Sequence, residues 1–475
     1  MKNIEKEQFL KIIKKALLTD DNLKTKIGTL MIFRSENEIE CKEDIIDDLL
    51  NHKGIFNAEC LYGIDEEKLD EWIKKEEKTL RISHDTKEIK NSYNIIRKYD
   101  RVVIPGSVES IESSFNWSSI KEIEFLEPKN NEERGISIIN DSFRYTHIEK
   151  LKLPKTIKKI KNSFNGAYIK GLIFNEANIK EIILNEELTY LESSFNNIPV
   201  KSITLPKNIK TINNCFNDLP YLEELNLNKG LEKVVDSFDR TEIKELVVPN
   251  TTKIISSSFN SNNKLEDIKL NEGLQKICYS FESCIINEII IPSTVEKLYY
   301  AFAFCEELKS IKLNKGLKEI TASFDGAKIN KISFPDSLEL ITESFQYCHK
   351  LKEISLNKKI KSIYNSFINC DLRKVMIPKS TSMIDNSFRD NPNLEDANIE
   401  VKNYLLVLAY LNKYYKDLVK QDYRDSLIQG YNSPFEGTKL YSLIEEEVNK
   451  YQEPNISLNK NLKVYELKKI RIKMF

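Results

Sequence analysis

The sequence has little of what catalysis, export or metal binding usually requires. Histidine occurs 4 times, at His52, His84, His147 and His349, and these share no motif. No phosphate-binding loop, dinucleotide fingerprint, zinc helix or nucleophile elbow occurs, so the common catalytic frameworks have no residues to build on. The 8 cysteines include no pair spaced by two, which removes the usual zinc and redox arrangements. No run of apolar residues is long enough for a spanning helix. The opening stretch MKNIEKEQFLKIIKKALL lacks a continuous apolar core and a small-residue cleavage site, and reads as an amphipathic helix. Glycine and proline, 13 each, are too sparse for collagen-like or low-complexity chains.

Charge of one sign is missing too. Lys+Arg total 72 and Asp+Glu 73, a net charge of −1. No global field would gather nucleic acid or coat an anionic membrane. The expectation from these absences is a non-enzymatic protein with no cofactor and no metal, and with cytoplasmic, reduced thiols. Non-classical export is the alternative.

What is abundant is repetition. Thirteen phenylalanines form a ladder: Phe115, Phe143, Phe164, Phe195, Phe216, Phe238, Phe259, Phe281, Phe302, Phe324, Phe345, Phe367 and Phe388. From Phe195 onward the spacings alternate between 21 and 22. Four residues before each ring lies an aliphatic residue, from Ile111 to Ile384. Immediately before it lies Ser, replaced only by Cys215 and Ala301. Ten residues before it, Pro (Pro206, Pro249, Pro292, Pro335, Pro378) alternates with Asn (Asn185, Asn228, Asn271, Asn314, Asn357). The true unit is therefore a 43-residue pair.

Before each Pro or Asn lies a short run such as LEELNL or IKELVV, whose last two apolar residues have the period of a half-buried strand. Pro, without an N–H, ends the strand. One repeat thus makes one turn of a coil, with a strand, a corner and a return segment back to the Phe. A single coil cannot bury its apolar face, but stacked coils can. The predicted fold is a repeat solenoid with a parallel β-sheet on one face and the rings stacked in its core. Thirteen coils at roughly 4.8 Å give an array on the order of 60 Å long.

The pattern of Pro, aliphatic, Ser-Phe and a small residue three positions on resembles the BspA-like, or Treponema pallidum-type, leucine-rich repeat. The residues that carry the match are Pro249 with Phe259, Pro292 with Phe302 and Cys305, and Pro335 with Phe345 and Cys348. The resemblance implies a leucine-rich-repeat solenoid over residues 99–399. It also implies a recognition role, since such proteins are often exported to bind host or bacterial components.

Three domains are expected: a helical or α+β cap over 1–95, a solenoid of about 13 repeats over 96–399, and a helical cap with a basic tail over 400–475. Within the last, TKLYSLIEEEVNKY reads as a helix. The tail NLKVYELKKIRIKMF reads as a terminal strand or cap, with a weak electrostatic contact with a membrane or nucleic acid as its alternative. Irregular spacings of 28 and 31 put insertions at 126–135 and 168–178.

The best candidate for binding is the outward column of the strands. It is acidic at Glu181, Glu224, Glu245, Asp267 and Glu288, with Val247 and Ile290 exposed in the next column. Trp117 and Tyr145, two residues past their rings, are candidate hot spots. Cys284 is expected beside Cys305, and Cys348 beside Cys370, as buried thiols in one column. The primary functional reading is a scaffold that binds a protein partner of unknown identity, with nucleic acid and membrane not expected as partners. The alternatives are an exported adhesin-type protein and an enzyme or effector whose activity resides in the flanks.

Overall fold

The computed structural model describes residues 78–128, 133–148, 150–151, 153–166, 181–381, 383–398 and 435–449. The amphipathic helix expected at the start of the chain, nearly all of the expected N-terminal cap up to residue 77, residues 399–434 and the basic tail lie outside these residues. So do residues 129–132 of the first insertion and the whole of the second.

The described chain is a parallel β-solenoid, and each coil carries two short strands rather than one. The return segment, read from the sequence only as a link back to the Phe, forms the longer ladder. Its strands, from Glu88–Lys90 to Met383–Asp385, make one unbroken 14-stranded sheet. This back sheet aligns the aliphatic column residue by residue. Ile111 pairs with Ile139, Ile160 with Leu191, and Ile363 with Ile384. The first two pairs span the insertions, so both are absorbed without a slip in register. A one-residue slip would have turned the whole column outward.

The runs expected as strands form the front. They lie in shorter sheets of 4, 3, 2, 2, 2 and 2 strands. From Glu224 onward, every break falls where an Asn-type strand precedes a Pro-type strand. Glu224–Asn226 does not join Glu245–Val247, whereas Glu245–Val247 pairs with Asp267–Lys269. The Asn-type coils have one more residue between ring and strand, and it closes a turn such as Leu222 N–H to the Leu219 carbonyl. The two coil types therefore enter the front at different offsets. The 43-residue pair is thus visible in the hydrogen bonding.

The rings stack through the core. Phe115 to Phe388 lie face to face with neighbouring centroids 4.9–5.7 Å apart. Two rings outside the Phe ladder extend the column: Tyr93 stacks on Phe115 at 5.2 Å, and Phe435 on Phe388 at 5.4 Å. After Phe435, Thr438 turns the chain into the helix Lys439–Asn449, whose Leu440, Tyr441 and Ile444 join the core. This agrees with the helix predicted there.

Each ring sits on an unusual corner. The ladder phenylalanines all have positive φ, for example 64° at Phe259, as do the residues two before and two after them. For bulky residues this conformation costs on the order of 1–3 kcal/mol and persists only where surroundings enforce it. Here the hydrogen bonds enforce it. The alternate N–H groups point up and down the stack: Ser113 to the Asn140 carbonyl, Phe115 to Ser92, and Trp117 to Arg144.

The serine before each ring completes the corner. Ser114 Oγ accepts the Ser92 N–H at 3.1 Å and donates to its own Glu112 carbonyl at 2.7 Å. The same pair of bonds recurs at Ser142, Ser163 and Ser237. Cys215 substitutes its thiol in both roles, at 3.4 and 3.2 Å. Ala301 can do neither. There the strands Lys276–Ser280 and Lys297–Ala301 lengthen to 5 residues, and Ser280 pairs with Ala301 along the backbone.

Candidate partner-binding face

The outward side chains of the front strands form the face. Glu224, Glu245, Asp267 and Glu288 are exposed in one column, and none has an ion pair among the described residues. They are the first residues of successive strands, and period-2 alternation turns them away from the core. Two positions further on, Val247 and Ile290 are 59% and 52% exposed, apolar side chains left in water. Lys269 stands between them. Glu181 begins the strand Glu181–Ile183, in register with Ser202 of the next coil.

Where Glu224–Asn226 and Glu245–Val247 fail to pair, a cleft of about 900 Å³ opens, lined by Glu224, Leu225, Leu227, Lys244, Glu245 and Val247. Its lining sets Glu223, Glu224 and Glu245 beside Lys229 and Lys244, with Val248 adding to the apolar side chains. Spacing alone could not show it, because it depends on which neighbours hydrogen bond.

Trp117 and Tyr145 do not belong to this face. They stack on each other at 4.1 Å on the ring corners, 60% and 40% exposed, with the Arg144 guanidinium over Tyr145. They occupy positive-φ positions where other coils use Gly166, Asn197, Asp218 or Gly326.

The cysteine column is structural in a specific way. Cys284, Cys305, Cys348 and Cys370 are buried, and each thiol points at the ring carbonyl of the previous coil, at 3.1–3.4 Å. Ser118, Thr146, Asn262 and Asn391 give the same carbonyl a donor in other coils. In these coils the slot takes a short donor, sulfur being one choice, whereas Ile198, Leu219 and Ala327 fill it with buried apolar side chains. Burial pushes the Cys305 thiol, and Cys215 in its own column, up to about 12, and raises Cys284 and Cys348 well above the ordinary thiol range. The nucleophilic thiolate is therefore suppressed. Iodoacetamide at pH 8 is expected to leave the Cys284 and Cys305 peptides unmodified in the native protein and to alkylate them after guanidinium unfolding. Peptide mass mapping that found them labelled natively would show an accessible column.

Among the described residues, no three His, Cys, Asp or Glu side chains group to hold a metal ion, and no helix is long and apolar enough to cross a membrane.

A two-strand coil with an aliphatic column, an aromatic stack and a donor-lined corner defines a leucine-rich-repeat solenoid. The chain belongs to the BspA-type leucine-rich-repeat family, whose model matches residues 76–170, 136–257, 190–300, 234–339 and 278–395. The solved structures it resembles are similar in fold only. A leucine-rich repeat protein from Bacteroides ovatus is 20% identical, with 67% of this chain and 86% of that one covered and a TM-score of 0.42. The pneumococcal vaccine antigen PcpA is 19% identical over 68% and 84%, with a TM-score of 0.41. YopM from Yersinia enterocolitica is 12% identical over 77% and 97%, with a TM-score of 0.25. No curated protein matches the chain.

Proposed function

We propose that this solenoid is a non-enzymatic cytoplasmic scaffold that takes a cationic segment of a protein partner on its front face. The observation that carries the reading is the column of four exposed carboxylates without cationic partners, beside exposed Val247 and Ile290 and an open cleft. Exposed carboxylates cost nothing in water, but isolated apolar side chains beside them add contact area for a partner that brings its own positive charge. Glu181 holds the matching strand position two coils before Glu224, through Ser202.

The test uses the triple variant Glu224→Lys/Glu245→Lys/Glu288→Lys. A partner captured by the wild-type protein is expected to bind roughly tenfold or more weakly to the variant, because each exposed pair contributes ~0.2–1 kcal/mol and reversal adds repulsion. Wild-type affinity should also fall as salt shortens the screening length. Unchanged binding in the variant would remove the acidic column from the interface. Cell fractionation separates this reading from an exported recognition protein.

A further inference from the structure

One residue past the ring, a second ladder is built from side-chain amides. Asn116, Asn165, Asn196, Asn217 and Asn260 each use Oδ1 to accept the N–H of the corresponding residue in the next coil, at 2.7–3.0 Å. Each also uses Nδ2 to donate to the carbonyl two residues before the next ring, at 2.7–3.1 Å. The amide fits because it carries one acceptor and one donor on a single short arm. Both partners are backbone groups of the neighbouring coil, so each Asn ties two coils together.

In two coils the column holds an aspartate. Asp239 Oδ1 accepts the Asn260 N–H and Asp325 Oδ1 accepts the Gln346 N–H, both at 2.8 Å. The accepting half of the amide is thus reproduced. In the donating half, the second carboxyl oxygen is the side-chain counterpart of Nδ2, and the carbonyls two residues before the next ring are those of Ser257 and Glu343. An ionised carboxylate has no proton to give them. A protonated carboxyl does, and then matches the amide atom for atom.

We propose that Asp239 and Asp325 are proton-dependent rungs, each tying its coil to the next fully only when its carboxyl carries a proton. The array is then tighter in mildly acidic solution than above neutrality, and these two coils are where it loosens.

The surroundings favour the protonated form. Burial raises Asp239 above the ordinary carboxyl range, against the Asn260 N–H, the Asn260 side-chain amide and the Arg240 guanidinium, which oppose the rise. Arg240 is itself engaged by Asp218 of the previous coil, and Asp236 on Asp239's own coil adds to the rise. Asp325 is pushed up to about 7, first by burial and then by Glu343 of the next coil, with the Gln346 N–H opposing. The Cys348 thiol also faces it, while the preceding coil presents only Ala303 at this position. A carboxyl raised in the folded state stabilises fully below its unfolded value, and the contribution is lost as pH rises through the folded value. For Asp325 the window therefore runs from about pH 4 to just above pH 7.

The experiment is a titration of the full chain labelled with carboxyl-13C aspartate, read by NMR between pH 3.5 and 8.5 and paired with guanidinium unfolding at both ends. The wild-type protein is expected to show a resonance titrating near 7 that vanishes in Asp325→Asn. Its unfolding equilibrium should shift toward the unfolded state on the order of tenfold between pH 5.5 and 8. Asp239→Asn/Asp325→Asn should flatten that dependence, whereas the exposed control Asp267→Asn should keep it. The proposal is overturned if every aspartate titrates below 5.5, or if the double variant retains the wild-type pH dependence. The wild-type titration decides the matter alone if a variant does not fold.

Discussion

Phe259→Ala should lower stability by about 3–5 kcal/mol, the range for truncating a fully buried aromatic. The ring is completely buried between Phe238 at 5.3 Å and Phe281 at 5.4 Å. Removing it leaves a void that neighbouring coils cannot close, because their spacing is set by backbone hydrogen bonds rather than by the rings. The position adds a second effect. An array of coils is stable through nearest-neighbour interfaces, so a broken interface in the middle uncouples the two halves. Guanidinium unfolding followed by circular dichroism should show an earlier transition that splits in two. A loss under about 1 kcal/mol would mean that the rings do not carry the core.

The second large effect is expected from Ser237→Ala, at about 1–3 kcal/mol. Its hydroxyl accepts the Cys215 N–H at 3.1 Å and donates to the Val235 carbonyl at 2.6 Å, wholly out of contact with solvent. Alanine leaves the buried Cys215 N–H unmet, while the Val235 carbonyl keeps the Asn214 N–H at 3.0 Å and loses only its second donor; an unmet buried group costs more than the bond itself contributes. Cysteine provides the control. Cys215 fills the same slot in the wild-type chain, so Ser237→Cys should cost clearly less than Ser237→Ala. Chemical denaturation measures both, and hydrogen exchange at the Cys215 amide should quicken only in the alanine variant. Equal costs for the two variants would show that shape, not hydrogen bonding, selects serine.

Much of this architecture could be read from residue spacing, because the coil repeats faster than substitution has blurred it. The Phe ladder and the aliphatic column four residues before it kept their register from Phe195 onward and fell in register in space as well. The acidic strip was legible for the same reason, since alternation alone decides which side of a strand faces out. Other features depended on contacts across coils. Tyr93 takes the ring position 22 residues before Phe115 but was invisible to a ruler made of phenylalanine. The back sheet was mistaken for a simple return, because three-residue strands at positive-φ corners carry almost no periodic signal. The donor rule at Cys284 and Cys305 was hidden because Ser, Thr, Asn and Cys share no hydropathy, only a proton to give. Front-sheet breaks and the cleft at Glu224 follow from a one-residue difference in connection length, which spacing showed but whose hydrogen-bonding result it did not.

The contrast between an unbroken back and an interrupted front has a mechanical consequence. A rod held by a continuous strip of hydrogen bonds along one side, and by separate clips along the other, is not equally stiff in all directions. Curving it so that the front opens breaks no ladder between Glu224–Asn226 and Glu245–Val247, because none exists there. Curving it the opposite way must stretch the 14-stranded strip, where each junction resists. The solenoid therefore behaves as a leaf spring with one compliant direction, and its give is concentrated once per 43-residue pair on the side that carries the acidic column.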